Sequence, residues 1–322
     1  MSPFGFSTTS EEVCATFANR IKGRTFLVTG TSTKGLGASC ATQLARQSPE
    51  QIILVSRTKA KVEPVIEEIK AINASIRVTF VEYELTDFDS VRKAAEQILS
   101  DKGISKIDAV INNAGVMNVK EYTTDKQGNE LTFSANHLGH FLLTNLIMPK
   151  ILAAGKGSRI VNVTSRGHRI SSVRFSDPAF SNGKDYDGWS AYGQSKTANI
   201  LFSFELARRL GERGIFAYSV HPGGIWDTGL TTHLENKDFE EIDAIALKNT
   251  GVPWPGVDKP KTMSQGSSSL LAAALDPAFE SQNGHFVEDC QLSEPLGYAT
   301  DEGNAKDLWV LSEELVGQKF DV

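Results

Sequence analysis

The sequence predicts an α/β protein: a doubly wound parallel sheet of about seven strands, an irregular lid and a C-terminal helix. Three observations carry that prediction. Short apolar runs alternate along the chain with segments of helical spacing. The runs are apolar throughout, as in Ile-Ile-Leu-Val at 52–55, which marks strands buried on both faces. The segments between them are long enough for crossover helices, and right-handed crossovers cover both faces of a parallel sheet.

The elements follow in order. Residues 1–24 are an amphipathic lead-in with a short helix over 10–21. Strands are expected at 25–30, 51–57, 76–84, 107–112, 159–164, 215–221 and 285–290. Helices are expected at 36–47, 60–72, 87–100, 130–152, 191–210 and 304–316. Pro64 falls in the first turn of its helix, where no N–H is needed, and Asp87 or Asp89 can cap the helix over 87–100. Residues 224–263 are rich in Gly, Pro, Thr and Trp and read as the lid. No repeat or low-complexity linker divides the 322 residues, so 1–322 is read as one domain.

Bulk properties exclude several classes. Hydrophobic content is 40% and charged content 22%, enough for a core without staples. A net charge of −6 argues against nucleic acid as a partner. Cys14, Cys40 and Cys290 are few and far apart, which suits a reducing compartment. His137 and His140 stand three apart without a third ligand nearby in sequence, so no metal site is expected. There is no leader pattern and no membrane span, and the expectation is a soluble, cytoplasmic protein.

Two stretches carry chemistry. The first strand ends Thr29-Gly30-Thr31-Ser32-Thr33-Lys34-Gly35-Leu36-Gly37 before a helix. Glycines there admit a ligand to the backbone, and a helix N-terminus offers free N–H groups to a pyrophosphate, as in the Rossmann arrangement. A P-loop would need Lys and Ser/Thr after Gly35, but Leu36 and Gly37 follow. The second strand ends at Arg57, which can stack on adenine and pair with a 2′-phosphate, and Lys34 offers a second cation. Both favour NADP(H) over NAD. The other stretch is Ser-Ala-Tyr-Gly-Gln-Ser-Lys at 190–196: Tyr192 and Lys196 share a helix face, and an ammonium eases deprotonation of a phenol. Tyr122 and Lys126 share the spacing but sit in a loop-like context, and their place in the chain order disfavours them.

With these motifs the chain resembles the short-chain dehydrogenase/reductase superfamily over residues 25–228, more loosely to the end. The resemblance adds Asn112-Asn113-Ala114-Gly115 after the fourth strand, Asn136 in Asn-His-Leu-Gly-His-Phe, Ser165 after the fifth strand and His221-Pro222-Gly223 after the sixth. The Asn-His-Leu-Gly-His-Phe wording and the tail around Leu308-Trp309 resemble the retinol-dehydrogenase-like branch, whose members often carry a membrane anchor that is not expected here. The resemblance implies an NADP(H)-dependent oxidoreductase. In it Tyr192 moves the proton, Lys196 holds the nicotinamide ribose and lowers the tyrosine pKa, and Ser165 binds the substrate oxygen. Asn136 holds a relay water. Gly30, Gly35, Leu36, Gly37, Glu84, Leu85, Asn113, Ala114 and Gly115 line the cofactor, with Pro222, Gly223, Ile225 and Thr228 at its nicotinamide end.

Two departures stand out. Four residues, Thr31 to Lys34, separate glycines that the family usually spaces by three, and Glu84 replaces the usual Asp. Phe175, Phe180, Trp189, Trp226, Pro253, Trp254 and Pro255 suggest a wall for a lipophilic ketone, aldehyde or secondary alcohol. Relatives pair as homodimers through the helices bearing Asn136 and Tyr192, and a homodimer is expected. The alternative function is a non-catalytic NADP-binding sensor or scaffold on the same fold. A serine hydrolase is disfavoured because Val163 stands where the nucleophile elbow needs glycine.

Overall fold

The computed structural model describes residues 2–322. Its strands are β1 (Thr25–Thr29), β2 (Gln51–Ser56), β3 (Arg77–Glu82), β4 (Ala109–Asn112), β5 (Arg159–Val163), β6 (Phe216–His221), β7 (Phe286–Glu288) and β8 (Gln291–Ser293). They form one sheet in the order β3-β2-β1-β4-β5-β6-β7-β8. Every neighbouring pair is parallel except β7 with β8. The chain winds outward from β1 to β3, then restarts on the other side at β4. The carboxyl ends of β1 and β4 therefore part into a crevice, where a ligand of a doubly wound sheet sits.

Helices run as α1 (Ser10–Thr16), α2 (Leu36–Ala45), α3 (Glu63–Ile72), α4 (Phe88–Ser100), α5 (Leu131–Phe133), α6 (Gly139–Leu146), α7 (Met148–Ala154), α8 (Gly188–Leu210), α9 (Ile242–Thr250), α10 (Met263–Leu275) and α11 (Glu302–Val316). Strand alternation feeds two cores. Ile53 and Val55 of β2 face the layer of α4, α6, α7, α8 and α11. Ile52 and Leu54 face the layer of α1, α2, α3 and α10.

Several expected bounds change for physical reasons. The first helix stops at Thr16 instead of reaching 21: a Thr9/Glu12 capping box starts it, and a 3-10 turn at Ala18–Arg20 then carries Arg20 to Glu280. The helix over 130–152 is not continuous. It passes through a π turn at Ser134–Leu138, where the Gly139 N–H reaches the Ser134 carbonyl, and breaks at Ile147 because Pro149 has no N–H to continue the ladder. The helix expected from 191 starts at Gly188, because the Asp187 side chain accepts the Ser190 N–H at 2.7 Å. The last strand ends at Glu288, where Asp289 and Cys290 (φ 53° and 58°) make a two-residue turn into an eighth strand. The lid contains α9, and α10 follows it unannounced.

α10 starts at a capping box of Thr262 and Gln265. Its small residues let it press close: a Cβ on Gly266 would stand 2.6 Å from Ile225 Cδ1. α11 lies over α6 and α8, with Trp309 ring centroids 5.0 Å from Phe141 and 6.1 Å from Phe202. Among the described residues, no helix is long and apolar enough to cross a membrane.

Candidate active site

A cavity of about 910 Å³ opens at the carboxyl ends of the strands across the β1/β4 crevice. At its phosphate end, Gly30 has φ 71°, and a Cβ there would come within 2.8 Å of Ala114 Cα. Gly37 lies beneath the turn, outside the cavity, where a Cβ would meet the Gly30 carbonyl at 2.5 Å. The extra residue of the turn is absorbed locally. The Gly35 N–H donates to the Ser32 carbonyl at 3.1 Å around Lys34, whose φ is 65°. Thr33 ties the turn to the loop after β2, its N–H and its hydroxyl each donating to the Lys61 carbonyl at 3.0 Å. Lys34, Arg57 and Lys61 thus line one end of the cavity; sequence reasoning missed Lys61.

Gly35 caps α2 without a side-chain bond, so the first N–H groups of the helix stay free at the cavity. The glycine cradle, the open helix terminus and the three cations fit a dinucleotide's phosphates. Arg57 Nη1 stands 3.5 Å from Glu84 Oε2, while Glu84 Oε1 accepts the Thr86 hydroxyl at 3.1 Å. Leu85 forms the adjacent wall, pressed so close to Gly139 that a Cβ there would lie 2.6 Å from Leu85 Cδ2.

Asn113 is a stitch between turns. Its Nδ2 donates to the Thr29 carbonyl at 2.9 Å, and its N–H and that of Ala114 donate to the Thr29 hydroxyl at 2.9 and 3.1 Å. His140 completes this network: Nδ1 faces the Asn136 carbonyl at 3.2 Å and Nε2 the Thr29 hydroxyl at 3.0 Å. A carbonyl only accepts, so Nδ1 carries the hydrogen and Nε2 accepts from Thr29. Burial keeps this ring neutral, pulling its pKa down to about 4. His137 instead reaches Ser312 on α11 at 2.7 Å.

The reacting groups meet at the centre. Ser165 follows β5, and Tyr192 and Lys196 stand on successive turns of α8. All three line the cavity. The Ser165 hydroxyl oxygen accepts the Gly167 N–H at 3.0 Å. Lys196 Nζ lies 5.5 Å from the Tyr192 ring centroid and donates to the Val163 carbonyl at 3.2 Å. Asn136 stands behind the wall. Its Oδ1 accepts the Val116 N–H at 2.8 Å, and its Nδ2 donates to the Val116 carbonyl and the Ser195 hydroxyl, each at 2.9 Å.

Burial dominates the electrostatics of the protein alone. The Tyr192 phenol is pushed up to about 12, chiefly by burial, with the Ser165 hydroxyl pulling the other way. Burial also takes Lys196 down to about 8. Without a dinucleotide both groups lose hydration, and burial shifts each toward its neutral form. The rival pair does not form a centre. Tyr122 packs on Tyr186 at 5.5 Å, and Lys126 pairs with Asp87.

Beyond Tyr192 the cavity is aromatic. Phe239 joins Trp189 at 5.5 Å and Trp226 at 5.7 Å, and Trp254 packs against the same cluster. Phe175 and Phe180 are not part of this wall. Phe175 packs against the main core, and Phe180 is buried beneath the Arg174 guanidinium at 4.7 Å. Pro253 and Pro255 are exposed and do not line the cavity. Pro222, Gly223, Ile225 and Thr228 do line it. Sequence reasoning missed Phe239, Gly167, Arg166 and Asp258; only Arg166 and Gly167, one and two residues beyond Ser165, had a motif beside them.

The comparisons agree with this geometry. Residues 24–238 match the family model described as short chain dehydrogenase. Mouse retinol dehydrogenase 12 is 34% identical over 309 residues, covering 96% of this chain and 91% of its own. Human retinol dehydrogenase 13 is 35% identical over 92% of this chain and 86% of its own. The short-chain dehydrogenase/reductase prx1 of Penicillium rubens is 33% identical over 92% of this chain and 86% of its own. An uncharacterized protein of Mycobacterium paratuberculosis superposes with a TM-score of 0.70 at 30% identity, over 94% of this chain and 96% of its own. The chain belongs to the short-chain dehydrogenase/reductase superfamily, in its retinol-dehydrogenase-like branch, whose oxidoreductases bind a nicotinamide cofactor.

Proposed function

We propose that the protein is an NADP(H)-dependent oxidoreductase that interconverts a lipophilic ketone or aldehyde and its alcohol, with Tyr192 as the acid/base. One observation carries this reading: Ser165, Tyr192 and Lys196 converge in a cavity with a glycine cradle at one end and an aromatic wall at the other. When bound, the dinucleotide supplies the hydride for reduction or accepts it in oxidation. Gly30, Gly35, Leu36 and the N-terminus of α2 would hold its phosphates, with Glu84, Leu85, Ala114 and Gly115 along the adenosine and Pro222, Gly223, Ile225 and Thr228 beside the nicotinamide. Arg57, Lys34 and Lys61 favour a 2′-phosphate and hence NADP(H).

Tyr192 donates its phenolic proton to the carbonyl oxygen, and Ser165 holds that oxygen as negative charge develops. Lys196 stabilises the phenolate that remains. Asn136 keeps the Val116 and Ser195 side of this centre rigid. A phenol at about 12 is a proton donor at neutral pH; using it as a base at pH 7 requires on the order of 7 kcal/mol of help. An NADP(H) preference makes reduction the expected direction in a cell. The retinol dehydrogenases among the relatives point to a retinoid-like, apolar substrate, which the cluster of Trp189, Trp226, Phe239 and Trp254 suits. A homodimer through α6 and α8 would have to accommodate α11. NADPH oxidation with a panel of lipophilic carbonyls tests the reading: turnover is expected, and tight NADPH binding with no turnover on any carbonyl or alcohol would favour a sensor instead.

A further inference from the structure

Asp258 lies near the end of the lid, in a stretch without secondary structure, yet its carboxylate reaches back to the sheet. Oδ1 meets Arg166 Nη1 at 2.6 Å, and Oδ2 meets His221 Nε2 at 3.0 Å. His221 Nδ1 accepts the Arg166 N–H at 3.3 Å, so the neutral ring presents its hydrogen at Nε2, toward Asp258. Arg166 is held in turn by Glu288, whose Oε1 accepts from Nε at 2.7 Å. One lid carboxylate thus grips groups that follow β5 and end β6, and these are braced from the end of β7.

The cluster is sheltered. Side-chain exposure is 17% for Asp258, 34% for Arg166, 16% for Glu288 and 3% for His221. Solvent screens such a cluster less than it screens an open surface pair. Apart from Lys261, whose buried ammonium pairs with Asp289, the neighbouring residues have little else to hold them. Val252 and Val257 are 37% and 57% exposed, and Trp254 joins only the small aromatic cluster beside Tyr192. The Trp254 N–H donates to Asp243, within the lid itself. At its root, the segment pairs through the Lys261 N–H and the Gly224 carbonyl at 2.8 Å. Trp254 and Val257 nonetheless line the cavity. A segment with so few buried apolar contacts opens at low cost unless polar ties restrain it.

We propose that Asp258 is a positioning residue for substrate selection: by clasping the lid to Arg166 and His221 it holds Trp254 and Val257 as a wall, so that bulky lipophilic carbonyl compounds bind while small ones gain nothing. The inference rests on the carbonyl chemistry proposed above for this cavity. The clasp touches neither the glycine cradle nor the basic end, so the phosphate contacts of a dinucleotide do not depend on it. Small carbonyl compounds reach Tyr192 and Ser165 without touching the wall, and their turnover is largely independent of it.

The test uses the full chain, with Asp258→Ala and Asp258→Asn. Amide hydrogen exchange is followed by mass spectrometry, and steady-state kinetics compare a short aliphatic aldehyde with a bulky aromatic ketone. Asp258→Ala should speed exchange over residues 253–261 by about ten-fold or more and leave β1 to β6 unchanged. It should lower kcat/KM for the bulky ketone at least about ten-fold more than for the short aldehyde, chiefly through KM. Asp258→Asn, which keeps the size and one acceptor, should fall between. Unchanged exchange at 253–261 would overturn the proposal, as would acceleration across the whole sheet or an equal loss for both carbonyl compounds. If the parent protein turns over neither carbonyl compound, the chemical reading fails, and the exchange result alone decides whether the clasp exists.

Discussion

Replacing Gly167 with alanine adds one carbon against the ring of Tyr192. Gly167 sits in a 3-10 turn directly after Ser165, with ordinary negative φ, so the backbone accepts alanine and only space is at issue. The added Cβ would stand 2.6 Å from Tyr192 Cε1, 2.9 Å from Cδ1 and 3.3 Å from Ser165 Oγ. Reaching ordinary contact requires the ring to retreat by about 0.8 Å. Tyr192 is only 5% exposed and has packed neighbours behind it, so the retreat displaces the phenol from its place beside Ser165. Overpacking of this kind costs about 1–3 kcal/mol of stability. A displacement approaching 1 Å at the reacting centre costs about 10²-fold in rate. The assay pairs kcat at saturating carbonyl with fluorescence titration of the dinucleotide. We expect kcat to fall by roughly 30- to 100-fold with the dinucleotide Kd within about two-fold. A kcat within about two-fold of the parent, or equal losses in both quantities, would refute the packing argument.

Three further expectations follow from other contacts. Arg57→Ala removes charge-assisted bonds worth about 1.5–3 kcal/mol, so NADPH affinity should drop by about ten-fold or more beyond any loss for NADH; equal loss for both dinucleotides contradicts the 2′-phosphate reading. Burial holds Lys196 at about 8 against 10.5 for a free lysine, so between those values the unfolded chain carries a proton that the folded chain has lost. Stability must then rise with pH across that window, and parent protein without dinucleotide should gain on Lys196→Met between pH ~7 and ~10 in urea denaturation; a difference independent of pH contradicts the burial argument. Gly37→Ala meets the carbonyls of Gly30 and Thr29 at 2.5 and 2.9 Å, and backbone cannot yield as a side chain can. It should cost about 1–3 kcal/mol and weaken dinucleotide binding, and parent-like stability in urea would show that the turn is looser than described.

The half of the fold that holds the cofactor was legible because its signals are local. Ile52 to Val55 are apolar on both faces, the glycine turn names a strand-to-helix junction, and Tyr192 is separated from Tyr122 by its place after Ser165. What was hidden depends on tertiary packing. α10 reads Met-Ser-Gln-Gly-Ser-Ser-Ser, where serine and glycine are weak helix formers, and Gly266 is needed because a Cβ there would stand 2.6 Å from Ile225 Cδ1. The π turn at Ser134–Leu138 leaves no mark in the residue pattern, although it sets where Asn136 points. Phe175 and Phe180 were expected at the substrate wall because aromatic content alone does not say which way a loop folds; Phe239 holds that place instead. The cluster of Arg166, His221, Asp258 and Glu288 joins positions up to 122 residues apart, and no spacing rule connects them. Spacing alone could not reveal that Tyr192 and Lys196 are both buried.

The central claim is that the phenol of Tyr192 moves the proton in a nicotinamide-dependent reaction. Tyr192→Phe removes one oxygen and keeps the ring that packs against Gly167 and Trp189. The direct measurement is NADPH oxidation by this variant with a carbonyl that the parent enzyme reduces, beside NADPH affinity by titration. The account predicts a loss of about 10²- to 10⁴-fold in kcat with affinity unchanged within about two-fold. Turnover above about a tenth of the parent rate would contradict it, because another group would then be supplying the proton.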